Sequence, residues 1–295
     1  RNGKYVTVFM ELQARFDEEA NIYWTERLRE EGVKVIHSIP GFKVHSKLIL
    51  IRRKEHNSNF LFAFIGTGNF NEDTAKVYSD VSLLTADQDI CNDVVNAFHL
   101  IEESYRPYRF RHLVVAPLNM RNYWIKLLQA EMRNARAGKD AWVIIKLNSL
   151  VDSAMVRKLY KASQAGVRIK LIIRGICTLV PGLPGVSDNI EAYSIVDRFL
   201  EHARILAFCN GGDPRYYITS ADWMVRNFDN RIEVATPVYD PGIKARLQRI
   251  LDIQLADNVK ARLIGPGEQN RYRQISGPEI RSQVEIYRYL KEEND

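Results

Sequence analysis

The sequence is poor in cysteine and has no long hydrophobic run, and both absences limit what the chain can be. Its three cysteines (Cys91, Cys177 and Cys209) are scattered and lack the spacing of metal ligands, so we expect a reducing, cytoplasmic setting rather than a disulfide-linked secreted fold. No apolar stretch approaches the ~20 residues that cross a bilayer, and the N-terminus has no signal-peptide pattern. We therefore expect no transmembrane segment.

Several short motifs of nucleotide-binding and hydrolytic enzymes are also missing. The chain has no Gly-x-x-x-x-Gly-Lys-Ser/Thr loop and no dinucleotide-binding glycine triplet after a strand. No cluster of histidine, cysteine and aspartate has zinc spacing, and no Gly-x-Ser-x-Gly turn marks a serine nucleophile, although a dispersed Ser-His-Asp triad stays open. The stretch "GTGN" at 66–69 is not by itself a phosphate-cradling loop.

The composition is that of an ordinary globular chain with a modest positive charge. The 295 residues are 46% hydrophobic and 26% charged, which is enough for two domains with separate cores. Pro107 and Pro117 interrupt the segment 106–119, which predicts a first domain over 1–112 and a second over 113–295. The net charge of +6 favours polyanionic partners. The start "RNGKYV" lacks methionine and leads at once into a strand-like run, which indicates a cut through a longer protein.

Strand and helix patterns alternate along the chain and predict an α/β fold with mixed sheets flanked by helices. Apolar stripes at helical spacing end in Gly32 and Gly166, which are ordinary helix stops, and each is followed by a β-branched strand. The predicted strands include 5–12, 33–39, 43–51, 79–85, 141–148 and 167–175, and the predicted helices are 17–32, 89–105 and 151–166.

This order of elements occurs twice, each time with a His-x-basic segment followed by Asn or Asp after a turn of small residues. His45 leads to "GTGN" and His202 leads to "TSAD". Asn69 follows His45 by 24 residues, and Asp222 follows His202 by 20. A duplicated unit with one histidine per copy predicts a single site between the two copies.

Each His-x-basic segment places an imidazole beside a cation. In "KVHSKLILI", read as one strand, a period of two points His45 and Lys47 to the same face, and Arg204 follows His202 at the same spacing. A neutral imidazole can accept a phosphoryl group near pH 7, and transfer otherwise needs alignment and neutralised phosphoryl oxygens. Either segment alone is more simply the polar face of a strand. The two in matching positions favour a paired catalytic site for phosphate.

Three other residues are compatible with such a site, on weaker evidence. Arg15 follows a strand at the start of a helix, where backbone N–H groups attract anions, but it could equally pair with Asp17 or Glu18. Arg174 ends the strand "VRIKLIIRG", at the carboxyl end where ligands of α/β sheets bind. Tyr78 could stack on an adenine, although simple packing is the more economical interpretation.

With these residues in place, the chain resembles the C-terminal half of bacterial polyphosphate kinases of the first family, over about residues 4–264. The resemblance implies two tandem phospholipase D-like domains with the active site between them, and two further N-terminal domains outside this chain. It also implies reversible transfer of the terminal phosphate of ATP, through a phosphohistidine, to inorganic polyphosphate. The matching stretches are "ELQARFDEEANI", "PGFKVHSKL", "IGTGNFNEDTA", "VYSDVSLLTAD", "SDNIEAYSIVDRFLEHARI" and "SADWMVRNFDNRIEVATP".

The resemblance also implies roles for single residues. By motif matching, His45 is the phosphorylated nucleophile, and His202 lies opposite it as a proton donor or phosphate contact. Lys47 and Arg204 complete the implied catalytic set. The positions that match nucleotide-binding residues are Tyr78, Arg174 and His202, and more weakly Arg231 and Glu233.

The implied cofactor is Mg²⁺, with ATP as substrate. Arg15 matches a magnesium-linked position, and since an arginine cannot ligate a cation we interpret it as binding phosphate oxygens that the metal also bridges. The implied partners are ATP, ADP and inorganic polyphosphate, with no nucleic acid and with a homo-oligomeric full-length enzyme. The implied location is cytoplasmic, and peripheral contact with a membrane is compatible with the family.

Two other functions compete with this one. A phospholipase D-type phosphodiesterase or nuclease needs an aspartate five residues beyond the lysine, but Arg52 and Cys209 occupy the corresponding positions. That departure disfavours a phosphodiesterase. The other alternative is a non-catalytic module that only binds polyanions, which labelling with ATP would distinguish.

Overall fold

The computed structural model describes residues 2–11, 18–37, 39, 41–55, 58–267, 270–274 and 276–293. The first half contains β1 (Thr7–Met10), α1 (Glu18–Glu30), β2 (Lys34–His37), β3 (Lys43–Val44), β4 (Lys47–Glu55), β5 (Ser58–Gly66), α2 (Glu72–Val77), β6 (Tyr78–Ser79), β7 (Ser82–Thr85) and α3 (Gln88–Glu102). The second half contains β8 (Val114–Ala116), α4 (Met120–Arg136), β9 (Trp142–Leu147), α5 (Ser153–Gln164), β10 (Arg168–Ile173), β11 (Ile190–Ile195), β12 (Leu200–Glu201), β13 (Ile205–Phe208), β14 (Arg215–Thr219), α6 (Val225–Asp229), β15 (Arg231–Val238), α7 (Pro241–Ala256), β16 (Ala261–Ile264) and α8 (Ser282–Glu292). In this described part, no helix is long and apolar enough to cross a membrane.

A large mixed sheet forms the centre of the second half, in the order β16-β11-β10-β9-β13-β14-β15-β3. Strands β9, β10 and β11 are parallel, whereas β13 runs antiparallel to β9 and β14 runs antiparallel to both β13 and β15. Helices α4 and α5 pack on one face through residues such as Trp124 and Leu159, and α7 packs on the other through Leu247 and Leu251. Burial on both faces explains why β9 is an almost continuous apolar run.

A smaller antiparallel sheet of order β4-β5-β7 belongs to the first half. Helix α3 covers one of its faces, where alternate residues such as Leu61, Ala63 and Ile65 are buried. The opposite face is also apolar but lies open, with Leu84 76% exposed. We call this surface the outer apolar face; it consists of Ile49, Ile51, Phe62, Phe64 and Leu84.

Two short strands join the halves. The strand β3 of the first half pairs in parallel with β15 of the second, with Val44 opposite Ile232. The strand β12 of the second half pairs in parallel with β6 of the first, with Glu201 opposite Ser79. Each half therefore contributes a strand to the other immediately before its own His-x-basic segment.

Most of the predicted elements are present, but two of the predicted strands are divided in the structure. The predicted helices correspond to α1, α3 and α5, and Gly32 and Gly166 end two of them with φ of 80° and 93°, as helix-terminating glycines do. The prediction of one strand over 43–51 was wrong, because the N–H groups of His45 and Ser46 both donate to the carbonyl of Ile232 and separate β3 from β4.

Other elements also differ from the prediction. The predicted strand over 79–85 is likewise divided, into β6 and β7. Helices α4 and α7 were not predicted. The divided strands are interrupted where the chain meets the opposite half, which a local pattern does not reveal.

Candidate active site

His45 is fixed between β3 and β4 by a buried carboxylate of the second half. Its Nδ1 lies 2.9 Å from Oε2 of Glu233, which is fully buried. Ser220 donates its hydroxyl to the same oxygen at 2.5 Å, and Asn227 donates its amide to Oε1 at 2.6 Å. With Nδ1 engaged by the carboxylate, Nε2 is the nitrogen of His45 that can react.

His202 repeats this arrangement in the second half. It follows β12, and its N–H and that of Ala203 both donate to the carbonyl of Ser79, at 3.0 and 2.9 Å. Its Nδ1 lies 2.8 Å from Oδ1 of Asp80, which also accepts the Thr67 hydroxyl at 2.6 Å. Asp80 thus corresponds to Glu233, and Thr67 to Ser220.

The two histidines therefore exchange carboxylates across the two halves. His45 of the first half is held by Glu233 of the second, and His202 of the second half is held by Asp80 of the first. The correspondence follows from the strand pairing, because each carboxylate comes directly after the two residues that pair with the strand preceding the histidine. The duplicated order in the sequence thus corresponds to two histidine–carboxylate pairs, each formed between the two halves.

Two cations lie near both imidazoles. Lys47 is 5% exposed and donates to the carbonyl of His45, and burial lowers its pKa to about 7. The charges of Lys47 and Arg204 act on both His45 and His202 and oppose protonation of each. The structure thus places the two imidazoles around the same pair of cations.

Burial sets the protonation state of the two imidazoles. Desolvation is the largest influence on each, and it holds the pKa of His45 and of His202 below the ordinary value in spite of the neighbouring carboxylates. Both rings are therefore neutral near pH 7. A neutral ring keeps the lone pair that a nucleophile needs.

Arg204 is held by Asp222, the residue after the small-residue turn of the second half. Its Nε and Nη2 donate to the two carboxylate oxygens at 3.1 and 3.2 Å, and its Nη1 donates to the carbonyl of His202 at 3.2 Å. The N–H groups of Asn148 and Ser149 bind the same carboxylate at 2.7 and 3.1 Å. These bonds hold the pKa of Asp222 below its usual range, so the carboxylate stays charged.

The remaining predicted residues that the structure describes lie around the same region. The ring of Tyr78 packs on that of His202, with centroids 5.1 Å apart. Arg174 donates its Nε to the side chain of Asn148, whose amide in turn donates to the carbonyl of His202 at 3.2 Å. Arg231 lies 3.9 Å from Glu233. Arg15 is outside the described residues.

Several residues of the site were missed at the level of sequence. Asp80, Asn148 and Asn227 carry no spacing signal, because their partners are far away in the chain. Thr67 and Ser220 could have been found, since they occupy the same place in "GTGN" and "TSAD" and both donate to the carboxylate that binds a histidine.

The glycine of "GTGN" has a structural reason. A Cβ at Gly68 would overlap the carboxylate of Asp80. The turn therefore needs glycine so that Asp80 can approach Thr67 and reach His202.

The described residues do not form a metal centre of their own. Within the part of the chain that the structure describes, no group of three or more His, Cys, Asp and Glu side chains could hold a metal ion. The carboxylates of the site are instead occupied by His45, His202 and Arg204.

The mixed α/β fold, with sheets flanked by helices, is as predicted, and solved structures share it. The crystal structure of phosphatidylserine synthase from Haemophilus influenzae matches 98% of this chain and 81% of its own with a TM-score of 0.57 at 10% identity, which shows a shared fold alone. A far higher likeness, with a TM-score of 0.91 and 44% identity, exists to the crystal structure of polyphosphate kinase from Porphyromonas gingivalis, over 99% of this chain and 45% of that one.

The family follows from the sequence matches. The family model for polyphosphate kinase C-terminal domain 1 matches residues 1–107, and that for C-terminal domain 2 matches residues 113–283. A polyphosphate kinase of Vibrio vulnificus is 55% identical over 98% of this chain, which spans 42% of that relative. The chain belongs to the family of polyphosphate kinase C-terminal domains.

Proposed function

We propose that this chain forms the phosphoryl-transfer centre of a polyphosphate kinase, with domains over 1–112 and 113–295. The observation that carries the proposal is His45, a neutral imidazole whose Nδ1 is bound to buried Glu233 beside two cations. The family match supports the same activity, although the chain spans only 42% of the Vibrio relative.

In the proposed reaction, the lone pair of His45 Nε2 attacks the terminal phosphorus of ATP, the bond to the bridging oxygen breaks and ADP leaves. A terminal oxygen of polyphosphate then attacks the phosphohistidine, and the P–N bond breaks. The proton on Nδ1 stays in the hydrogen bond to Glu233, whose charge offsets the positive charge of the phosphorylated ring. Because both steps exchange similar bonds, the sequence of steps runs in either direction.

The basic residues would neutralise the phosphoryl oxygens. Lys47 and Arg204 act on both histidines in the free protein, so a phosphate between the rings meets both charges. His202, oriented by Asp80, would take up a proton as the phosphate binds, and the protonated ring would then donate that proton or a hydrogen bond to the phosphate from the side opposite His45. These are the catalytic roles we propose for His45, His202, Lys47 and Arg204.

We assign nucleotide binding to the residues that adjoin His202. Tyr78 packs on the His202 ring, and Arg174 reaches the same segment through Asn148. Their position supports a nucleotide beside His202, with Tyr78 against the base and Arg174 on phosphate. Arg231, near Glu233, would bind phosphate on the His45 side.

Magnesium does not fit the described residues as a protein-bound ion, since they offer no ligand cluster for it. We propose instead that Mg²⁺ enters with ATP, coordinated by the phosphates of the nucleotide. Arg15 would then contact phosphate rather than metal.

The remaining assignments follow from the same family. We propose ADP and inorganic polyphosphate as further ligands, a homo-oligomeric full-length protein in the cytoplasm, and no nucleic-acid partner. The net charge of +6 supports polyanionic ligands in general.

Incubation of the full-length protein with γ-labelled ATP and Mg²⁺ tests the activity. We expect acid-labile label on the protein, lost in His45→Ala and kept in His112→Ala, whose ring lies against Tyr239 instead. Label that survives in His45→Ala would refute the assignment of the nucleophile. Binding of polyphosphate without any label would favour the polyanion-binding module.

A further inference from the structure

A buried polar cluster lies behind the strand that carries His202. Glu201, which precedes that histidine, is 3% exposed, and Oε2 of its carboxylate accepts Lys146 Nζ at 2.8 Å and Gln254 Nε2 at 2.7 Å. Its other oxygen accepts Nε2 of Gln283 at 2.8 Å. Adjacent residues of a strand point to opposite faces, so this cluster supports the strand from the side away from the reacting ring.

The matching position in the first half has no such cluster. There Val44 precedes His45 and packs with the apolar core of that half. A buried ion pair is not required for stability, because apolar residues of similar volume often do as well or better. The second half nevertheless keeps a carboxylate bound by three donors at this position. The difference indicates a role in holding the strand in one place.

The start of α8 provides the hydrogen bonds that hold this strand. Gln283 accepts the N–H of Phe199 at 3.0 Å and donates to the carbonyl of the same residue at 2.8 Å, in addition to its bond to Glu201. Arg281 binds Asp197 with two hydrogen bonds, of 2.8 and 2.6 Å. The start of α8 thus binds the chain at 197, 199 and 201, directly before His202.

The helix itself is anchored independently of the site. Asp257, at the end of α7, accepts the N–H of Ser282 at 2.8 Å, and Asn258 accepts the N–H of Ile280 at 2.7 Å. These two bonds fix the start of α8 relative to the end of α7, and Gln283 connects the start of α8 to β12.

We propose that Gln283 is a positioning residue for His202: by fixing β12 from behind, it keeps the imidazole on Asp80 and in line with the phosphate. The expected effect on kcat rests on the proposed function, whereas the expected effect on the position of β12 does not. It assigns to the C-terminal helix, which contributes no side chain to the site itself, control over one of the two histidines.

The test uses Gln283→Met in the full-length protein, because methionine keeps the length of the side chain and removes its hydrogen bonds. Arg288→Ala is the matched control, since Arg288 lies on the same helix and pairs with Glu285 one turn away. Arg281→Ala, which removes the partly exposed ion pair to Asp197, is a second variant in case the first does not fold.

Hydrogen exchange provides a readout that does not depend on activity. In Gln283→Met we expect faster exchange of the His202 and Ala203 amides, which bond to Ser79, and unchanged exchange of the His45 and Ser46 amides, which bond to Ile232. Equal exchange rates in variant and parent at both segments would overturn the proposal.

Kinetics separate positioning from a merely structural role. We expect kcat to fall on the order of tenfold to a hundredfold, since small misplacements of a reacting group have effects of this size, with KM for ATP nearly unchanged. An unchanged kcat despite faster exchange would refute the role in positioning. If the parent transfers no phosphate, the proposed function fails, and the exchange result alone decides whether Gln283 holds β12.

Discussion

At the scale of single residues, the site depends on two carboxylates that reach the histidine of the opposite half. Glu233 and Asp80 each bind the Nδ1 atom of their histidine and receive a hydroxyl, from Ser220 and Thr67 respectively. A carboxylate in this position selects the ring tautomer and stabilises positive charge on the ring. The chemistry of His45 should therefore depend on the charge of Glu233 and not only on its shape.

We predict that Glu233→Gln slows labelling of His45 by about 10²-fold or more, because glutamine keeps the shape of the side chain but lacks the charge that offsets the phosphorylated ring. The rate of acid-labile labelling by γ-labelled ATP measures the effect. Glu191→Gln is the control, since Glu191 contacts Tyr193 rather than a histidine. An unaltered labelling rate in Glu233→Gln would count against the role of this carboxylate.

Lys47 makes ligand binding dependent on pH. Burial lowers the pKa of Lys47 to about 7, so Lys47 is neutral in most molecules of the free protein at pH 8. A bound polyanion would raise that pKa again. We predict uptake of up to about one proton when tripolyphosphate binds at pH 8. Calorimetry in two buffers of different ionisation enthalpy measures the number of protons.

In Lys47→Met this uptake at pH 8 should disappear. The same proton number in parent and variant at pH 8 would contradict the prediction.

At the scale of elements, the sequence reveals what is local and misses what is shared between halves. The helices α1, α3 and α5 and the strands β9 and β10 were predictable, because their own periodicity or buried apolar runs define them. The repeat predicts that His45 and His202 share one site, and in the structure the charges of Lys47 and Arg204 act on both rings. The break after β3 was not predictable, since it depends on a carbonyl of β15 far along the chain.

The turn at Gly68 allows a matched comparison between the two halves. We predict that Gly68→Ala lowers kcat, because the new methyl group displaces the Asp80 carboxylate from His202, with a loss of about 1–3 kcal/mol in unfolding free energy from overpacking. The control is Ala221→Gly, at the corresponding position of "TSAD".

Denaturant unfolding and steady-state kinetics measure the two effects in parallel. A Gly68→Ala variant with parental kcat would show that Asp80 does not need this space. Replacement at Ala221 should cost about 1–2 kcal/mol for the lost buried methyl group and the freer backbone, but it should leave Asp80 in place and kcat closer to that of the parent than in Gly68→Ala.

At the scale of the whole molecule, one surface stands apart from the site. The outer apolar face exposes Ile49, Ile51 and Leu84 by 43%, 57% and 76% on one side of the β4-β5-β7 sheet. A contiguous apolar patch of this kind favours association in water.

We predict that this 295-residue chain self-associates as its concentration rises and that Ile51→Lys weakens the association about tenfold or more, since burial of one such side chain contributes ~1.5–3 kcal/mol. Sedimentation velocity over a concentration series is the measurement. Leu263→Lys is the control, because Leu263 is similarly exposed, at 47%, but lies on β16 outside this face. Equal association of both variants and the parent would assign no role to the outer apolar face.

The exchange of carboxylates has a consequence for how a long polymer could leave. Swinging one half away from the other about a hinge would separate His45 from Glu233 and His202 from Asp80 at the same moment. It would also separate β3 from β15 and β12 from β6, so several hydrogen bonds would be lost together and a half-open form is unfavourable. If polyphosphate is the ligand, as we propose, we expect it to pass lengthwise between two halves that stay closed.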